Sequence, residues 1–151
     1  DFGADQVAQA AASYLAKVGI NVEVNLLPRA SFYEKVNPED LQSSCFIGGW
    51  SDTSGEGMVI LNDMVHSYSD GMGEGNNGHY SNAEVDELLG QASVENDMEK
   101  RAELVKKADA ISREEVGYLP LFFKDQIYGV RDGITYTPRA GDNIMAWDFE
   151  F

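Results

Sequence analysis

The chain has a single cysteine, Cys45, so no intramolecular disulfide can form, and its place in an apolar run predicts a buried small hydrophobe rather than a reactive thiol. Its only histidines, His66 and His79, have no Cys or His partner at zinc-ligand spacing, which argues against a protein metal site. Basic residues are scarce: 11 Lys plus Arg stand against 26 Asp plus Glu, a net charge of −15. Such a surface repels nucleic acid phosphates and anionic lipid, so no nucleic acid partner is expected. No stretch approaches the roughly 20 apolar residues that span a bilayer. There is also no basic-then-apolar leader, no internal repeat and no low-complexity linker. G-x-S-x-G, a phosphate-cradling Gly-Lys loop and H-E-x-x-H are all missing, and the carboxylates are spread along helix surfaces. No catalytic residue and no cofactor is expected, and the protein is read as a non-enzyme.

What is present is enough apolar material, 43% of 151 residues, for one domain with its own core. The most legible stretch is residues 80–123, read as helix, turn, longer helix and buried strand. Ser81 and Glu84 have the S-x-x-E spacing of a capping box, and Val85, Leu88, Leu89 and Ala92 recur on one helical face. A second helix starts at Asn96 or Asp97, with Met98, Ala102, Val105, Ala108 and Ile111 as its inner stripe.

Ahead of it, Val7, Ala8, Ala11, Ala12, Leu15 and Val18 form an Ala-rich helical face, ended by Gly19 and Ile20 in the pattern of a Schellman cap. Ile20, Val22, Val24 and Leu26 alternate with polar residues, which predicts a half-buried strand stopped by Pro28. Ser31 and Glu34 suggest a capping box for a short helix carrying Phe32, Tyr33 and Val36, closed by Asn37 and Pro38. A helix joined to a strand by a tight turn is one unit of an α/β layer.

Cys45, Phe46 and Ile47 read as a doubly buried strand emptying into a loop that begins Gly48, Gly49, Trp50, Ser51, Asp52, Thr53, Ser54. Ligands of α/β sheets gather at such strand ends. The glycines allow close backbone approach, the indole gives a flat wall with one N–H, and Asp52, Thr53 and Ser54 offer hydrogen-bonding groups. By composition a plain turn competes evenly with this reading. A helix built on Met58, Val59, Leu61, Asn62, Met64 and Val65, mostly as core, should follow. Residues 70–78 are glycine-rich and polar and read as a flexible loop without calcium-loop spacing. Beyond Phe123, residues 127–130 suggest a strand, with Asp132 and Gly133 as the turn of a hairpin to Ile134 and Tyr136. Trp147, Phe149 and Phe151 are expected to pin the terminus to the core.

Tyr80, Asn82, Asp86, Asp97, Arg101 and Pro120, in this order and at these distances, give the chain a pattern that resembles the C-terminal part of the family 5 extracellular solute-binding proteins of peptide and nickel ABC importers. The likeness extends back through residues 48–50 and 17–24. It implies an α/β fold, the C-terminal lobe of a type II periplasmic-binding-protein-like fold, with a sheet and flanking helices. It also implies that residues 1–151 are a single-domain fragment of a two-lobed protein whose first lobe is absent, as an opening at Asp1 rather than Met suggests. In peptide-binding members of the family, a Gly-Trp followed by Asp pairs with the ligand's terminal amino group. Here Gly49 and Trp50 match, Asp52 stands one residue earlier than in the commonest W-x-x-D form, and Gly55-Glu56-Gly57 replaces a proline. The form W-S-x-x-x-G-E, Trp50 to Glu56, is closer to the glutathione-binding branch.

The expected function is therefore capture of a peptide or peptide-like solute outside the membrane and delivery to an ABC permease, in the periplasm or lipid-anchored at the cell surface. Gly49, Trp50, Ser51, Asp52, Thr53 and Ser54 form the expected ligand site. Nickel or sugar binding within the same family, a hydrolase using Ser51 or Ser54, and a plain interaction domain stand as alternatives. Half of a cleft should bind ligand only weakly, near or beyond millimolar, and expose apolar surface that favours self-association.

Overall fold

Helices carry most of the regular structure, and the reasons lie in their ends as much as in their faces. The computed structural model describes residues 3–37, 42–52, 54–69, 71–139 and 144–150, in two units, Asp1–Gly49 and Trp50–Phe151.

In the first unit, α1 (Ala4–Ala16) turns its predicted Val7, Ala8, Ala11, Ala12 and Leu15 face partly inward, while Val18 is exposed. The predicted Schellman cap is present: Ile20 N–H donates to the Leu15 carbonyl at 3.0 Å and Gly19 N–H to the Ala16 carbonyl at 3.1 Å, with Gly19 at φ 86°. The second helix, α2 (Arg29–Lys35), starts from Pro28 and not from Ser31, which lies inside it. Pro28 ends the preceding extended run and presets the backbone for the first turn, so no side-chain cap is used. Phe32 meets Tyr33 and Phe46 edge-on, at 5.4 and 6.2 Å between ring centres. Val36 is buried. Pro38 lies outside the described residues.

In the second unit, α3 (Gly57–Met64), α4 (Ala83–Val94) and α5 (Met98–Glu114) share one core. Leu61 and Val65, Val85 and Leu89, and Ala108 are buried together, with Met64, Tyr80, Leu88, Val105, Ile111 and Tyr118 packed against them. Burial of each large aliphatic side chain contributes about 1.5–3 kcal/mol. The α4 stripe is as predicted. In α5 the stripe begins only at Val105, because Met98 and Ala102 sit in the exposed first turns and are not core. Val59 likewise faces solvent.

The α4 cap is Asn82, not Ser81: its side-chain oxygen accepts from the Glu84 and Val85 amides at 2.9 and 3.2 Å. Ser81 instead bonds the Ser67 hydroxyl at 2.8 Å. Asp97 caps α5 by accepting from the Glu99 and Lys100 amides.

The strands are where sequence and structure part. Among the described residues the one sheet is an antiparallel pair, β1 (Thr135–Tyr136) and β2 (Phe149–Glu150). Residues 20–26, 45–47, 119–123 and 127–130 form no ladder. Alternation survives in part, since Val22 and Val24 are half-buried between exposed Asn21, Glu23 and Asn25. A period-two pattern prepares a face but does not supply the neighbouring strand whose N–H and C=O groups complete the ladder. For the same reason Cys45, with no sheet on either side, is exposed rather than buried. The turn at Asp132 and Gly133 forms, with Ile134 N–H donating to the Arg131 carbonyl at 3.1 Å. It leads into β1, which pairs with β2 and not with residues 127–130. Phe149 stacks on Tyr136 as expected of a terminal anchor, whereas Trp147 is exposed under Arg139, and Phe151 lies outside the described residues.

Candidate functional site

The sequence-predicted loop crosses the boundary between the two units, with Gly49 closing the first and Trp50 opening the second. Gly49 and Ser51 are exposed, Trp50 and Asp52 half-buried, and Ser54 exposed. Thr53 lies outside the described residues.

Asp52 and Ser54 make one hydrogen-bonded turn. The Ser54 amide and hydroxyl both donate to the Asp52 carboxylate, at 2.8 Å and 2.7 Å, and the Glu56 amide donates to the Ser54 hydroxyl at 3.1 Å. The Ser54 side chain, then its amide, hold the Asp52 carboxyl below its ordinary value, so it stays anionic. An ionised, part-exposed carboxylate held still by its own turn can accept a hydrogen bond from a cationic group.

Trp50 is anchored at a place the sequence reading missed. Its indole N–H donates to Asp63 Oδ2 at 2.6 Å, and the Gly75 amide donates to Asp63 Oδ1 at 2.8 Å. Asp63 projects from α3, where it is the one charged residue, and that isolation was the available signal. The indole N–H, expected as a donor at the ligand site, is therefore occupied.

Residues 71–78, the described part of the stretch expected as a flexible loop, are tied down. The Gly73 and Gly75 amides donate to the Asn62 and Asp63 carbonyls. Buried Asn76 donates to the His66 and Tyr80 carbonyls, at 3.0 and 2.7 Å, and accepts from the Tyr80 amide. One amide side chain thus replaces the regular ladder that a loop lacks. Among the described residues no group of three metal-ligating side chains occurs, and no helix is long and apolar enough to cross a membrane.

The family-pattern residues frame this region rather than line it. Arg101 Nη1 donates to both Glu56 carboxylate oxygens, at 2.8 and 3.1 Å, while its Nε and Nη2 donate to the Glu95 carbonyl. It therefore locks the residue before α3, the residue after α4, and α5. Tyr80 and Asn82 both donate to Glu115 Oε2, at 2.7 and 2.8 Å. Asp86 accepts from the Ser67 amide at 2.8 Å. Pro120 is exposed.

The chain is similar to known periplasmic proteins. It is 31% identical over 121 residues to the probable D,D-dipeptide-binding periplasmic protein DdpA of Escherichia coli K12, across 80% of this chain and 23% of that one. The likeness is to a part of this periplasmic binding protein. The glutathione-binding proteins GsiB of Escherichia coli K12 and Shigella flexneri are also 31% identical over 121 residues, across 78% of this chain and 24% of theirs. The chain thus spans about a quarter of the length of these relatives. No family model and no solved structure matches it.

Proposed function

We propose that this chain is the C-terminal lobe of a two-lobed family 5 substrate-binding protein with a type II periplasmic-binding-protein-like fold. It captures a peptide or peptide-like solute outside the membrane and delivers it to an ABC permease. The observation that carries this reading is the 31% identity, over about four-fifths of the chain, to periplasmic proteins named for binding a D,D-dipeptide and glutathione. The turn geometry supports it. Asp52, held anionic in the turn it makes with Ser54, suits a ligand ammonium, and Trp50, two residues before it, offers a wall.

A hydrolytic role for Ser54 is disfavoured because the carboxylate its hydroxyl donates to, Asp52, is held below its ordinary value and is a poor proton acceptor. Calorimetry of the chain with glutathione, D-alanyl-D-alanine, sugars and nickel should give weak binding, about millimolar, to the peptide-like compounds alone. Binding only of sugar or nickel would refute the ligand class. Turnover of peptide or ester substrates that disappears in Ser54→Ala would refute the binding role itself. The exposed Phe122, Phe123 and Ile127 predict self-association that grows with concentration in sedimentation.

A further inference from the structure

The Trp50 indole N–H and the Gly75 amide converge on the two oxygens of one carboxylate, Asp63, from positions 13 residues before and 12 residues after it in the chain. The spacing is tight. A Cβ on Gly75 would stand 2.5 Å from Asp63 Oδ2 and 2.8 Å from Cγ, so only glycine lets the amide approach this closely. Gly78, three residues on, has open space around it. A carboxylate accepting two N–H donors is a charge-assisted pair of bonds, stronger than neutral ones. It fixes the orientation of a ring that a single χ rotation would otherwise swing away.

We propose that Asp63, braced by Gly75, is a positioning residue for Trp50. It consumes the indole N–H, so the ring meets solute with its face alone and takes an apolar side chain of the solute rather than a carbonyl or carboxylate acceptor. This deepens the ligand-site reading above and rests on it for the ligand, but the positioning of Trp50 is testable without one. The glycine-rich stretch thereby acquires a role: it holds the back of the ligand wall.

The test is NMR of the 151-residue chain, with Trp50→Phe to assign the two indole signals. In the ligand-free protein the Trp50 indole hydrogen should exchange with solvent slowly relative to exposed Trp147. Asp63→Asn, which turns a donor toward a donor, should shift its resonance and speed exchange about tenfold or more. Gly75→Ala should do the same by displacing the carboxylate, and Gly78→Ala should leave the signal in place. If Asp63→Asn fails to fold by circular dichroism, the Gly75→Ala and Gly78→Ala pair decides. An indole signal unmoved by Gly75→Ala, or exchange as fast as that of Trp147 in the unaltered chain, overturns the proposal.

A second arm titrates the unaltered chain with leucyl-leucine and with acetate. The dipeptide should move the Trp50 ring resonances and acetate should not; an acetate response with loss of exchange protection would overturn the face-only role. If neither probe binds while Gly75→Ala still moves the indole signal, the ligand-site reading falls and the positioning of Trp50 by Asp63 stands.

Discussion

Residues 83–114 and residues 119–130 are both rich in apolar side chains, yet they have opposite fates. In the first, Val85, Leu89, Ala92 and Ala108 are fully buried. In the second, Leu119, Leu121 and Phe122 are more than half exposed, Phe123 is 102% exposed and Ile127 95%. The difference is one of range. A helix satisfies its backbone within itself, and an i, i+3, i+4 stripe needs only a neighbouring helix, which the short turn at residues 95–97 supplies. An extended run has no hydrogen bonds of its own and stays solvated until another strand arrives.

The sharpest way to break this comparison is a pair of truncations. Leu89→Ala should cost about 2–5 kcal/mol in urea unfolding, and Phe123→Ala within about 0.5 kcal/mol. Similar costs at both sites would show that residues 119–130 are buried in solution.

Arg101→Ala comes next. It strips the donors from the Glu95 carbonyl and the Glu56 carboxylate, partly buried groups that hold three helices in place. The expected loss is about 1–3 kcal/mol, and Lys should not rescue it because a single ammonium cannot reproduce the fork.

The legibility of the chain follows the same division. The α4 face, the α5 start to within Asn96 or Asp97 and the Gly19 Schellman cap could be read because each depends on residues within one or two turns. At the start of α4 two good capping residues stand side by side, and the cap is Asn82 rather than the expected Ser81 because its oxygen reaches the second and third helical amides. The loop around Trp50 is legible from its Gly, Ser and Asp content, although the strand expected before it forms no ladder, and its anchor is not legible. Asp63 and Gly75 reach it through a fold-dependent contact that no local period encodes.

A smaller effect sharpens the account of helix ends. Val116 closes α5 at φ 59°, a left-handed conformation that strains a β-branched residue, while Gly117 follows because the Tyr80 ring would lie 2.8 Å from a Cβ there. Val116→Gly should therefore stabilise the chain by about 1 kcal/mol in urea unfolding, with Gly117→Ala moving stability the other way.

The smallest expected effect is a pH dependence. Asn82, then Tyr80, hold Glu115 below its ordinary value of 4.5 by donating to it. This contribution is present above 4.5 and lost as pH falls through the lower folded value, so the gap between the unaltered chain and Glu115→Gln should narrow on acidification. Tyr80 is pushed up to about 12, by burial first and by Glu115 second, so its share persists below 10 and fades as pH rises toward 12. Urea midpoints for both proteins across these ranges would show it, and a gap that widens in acid would be the wrong sign.

The claim on which the rest depends is that the loop at Trp50, and not some other aromatic surface, meets the solute. Its most direct test is an NMR titration of the 151-residue chain with glutathione and D-alanyl-D-alanine at millimolar concentration, following both tryptophans. Movement of the Trp50 resonances with Trp147 stationary is the predicted result; a response at Trp147 alone, or none at either ring, would contradict it.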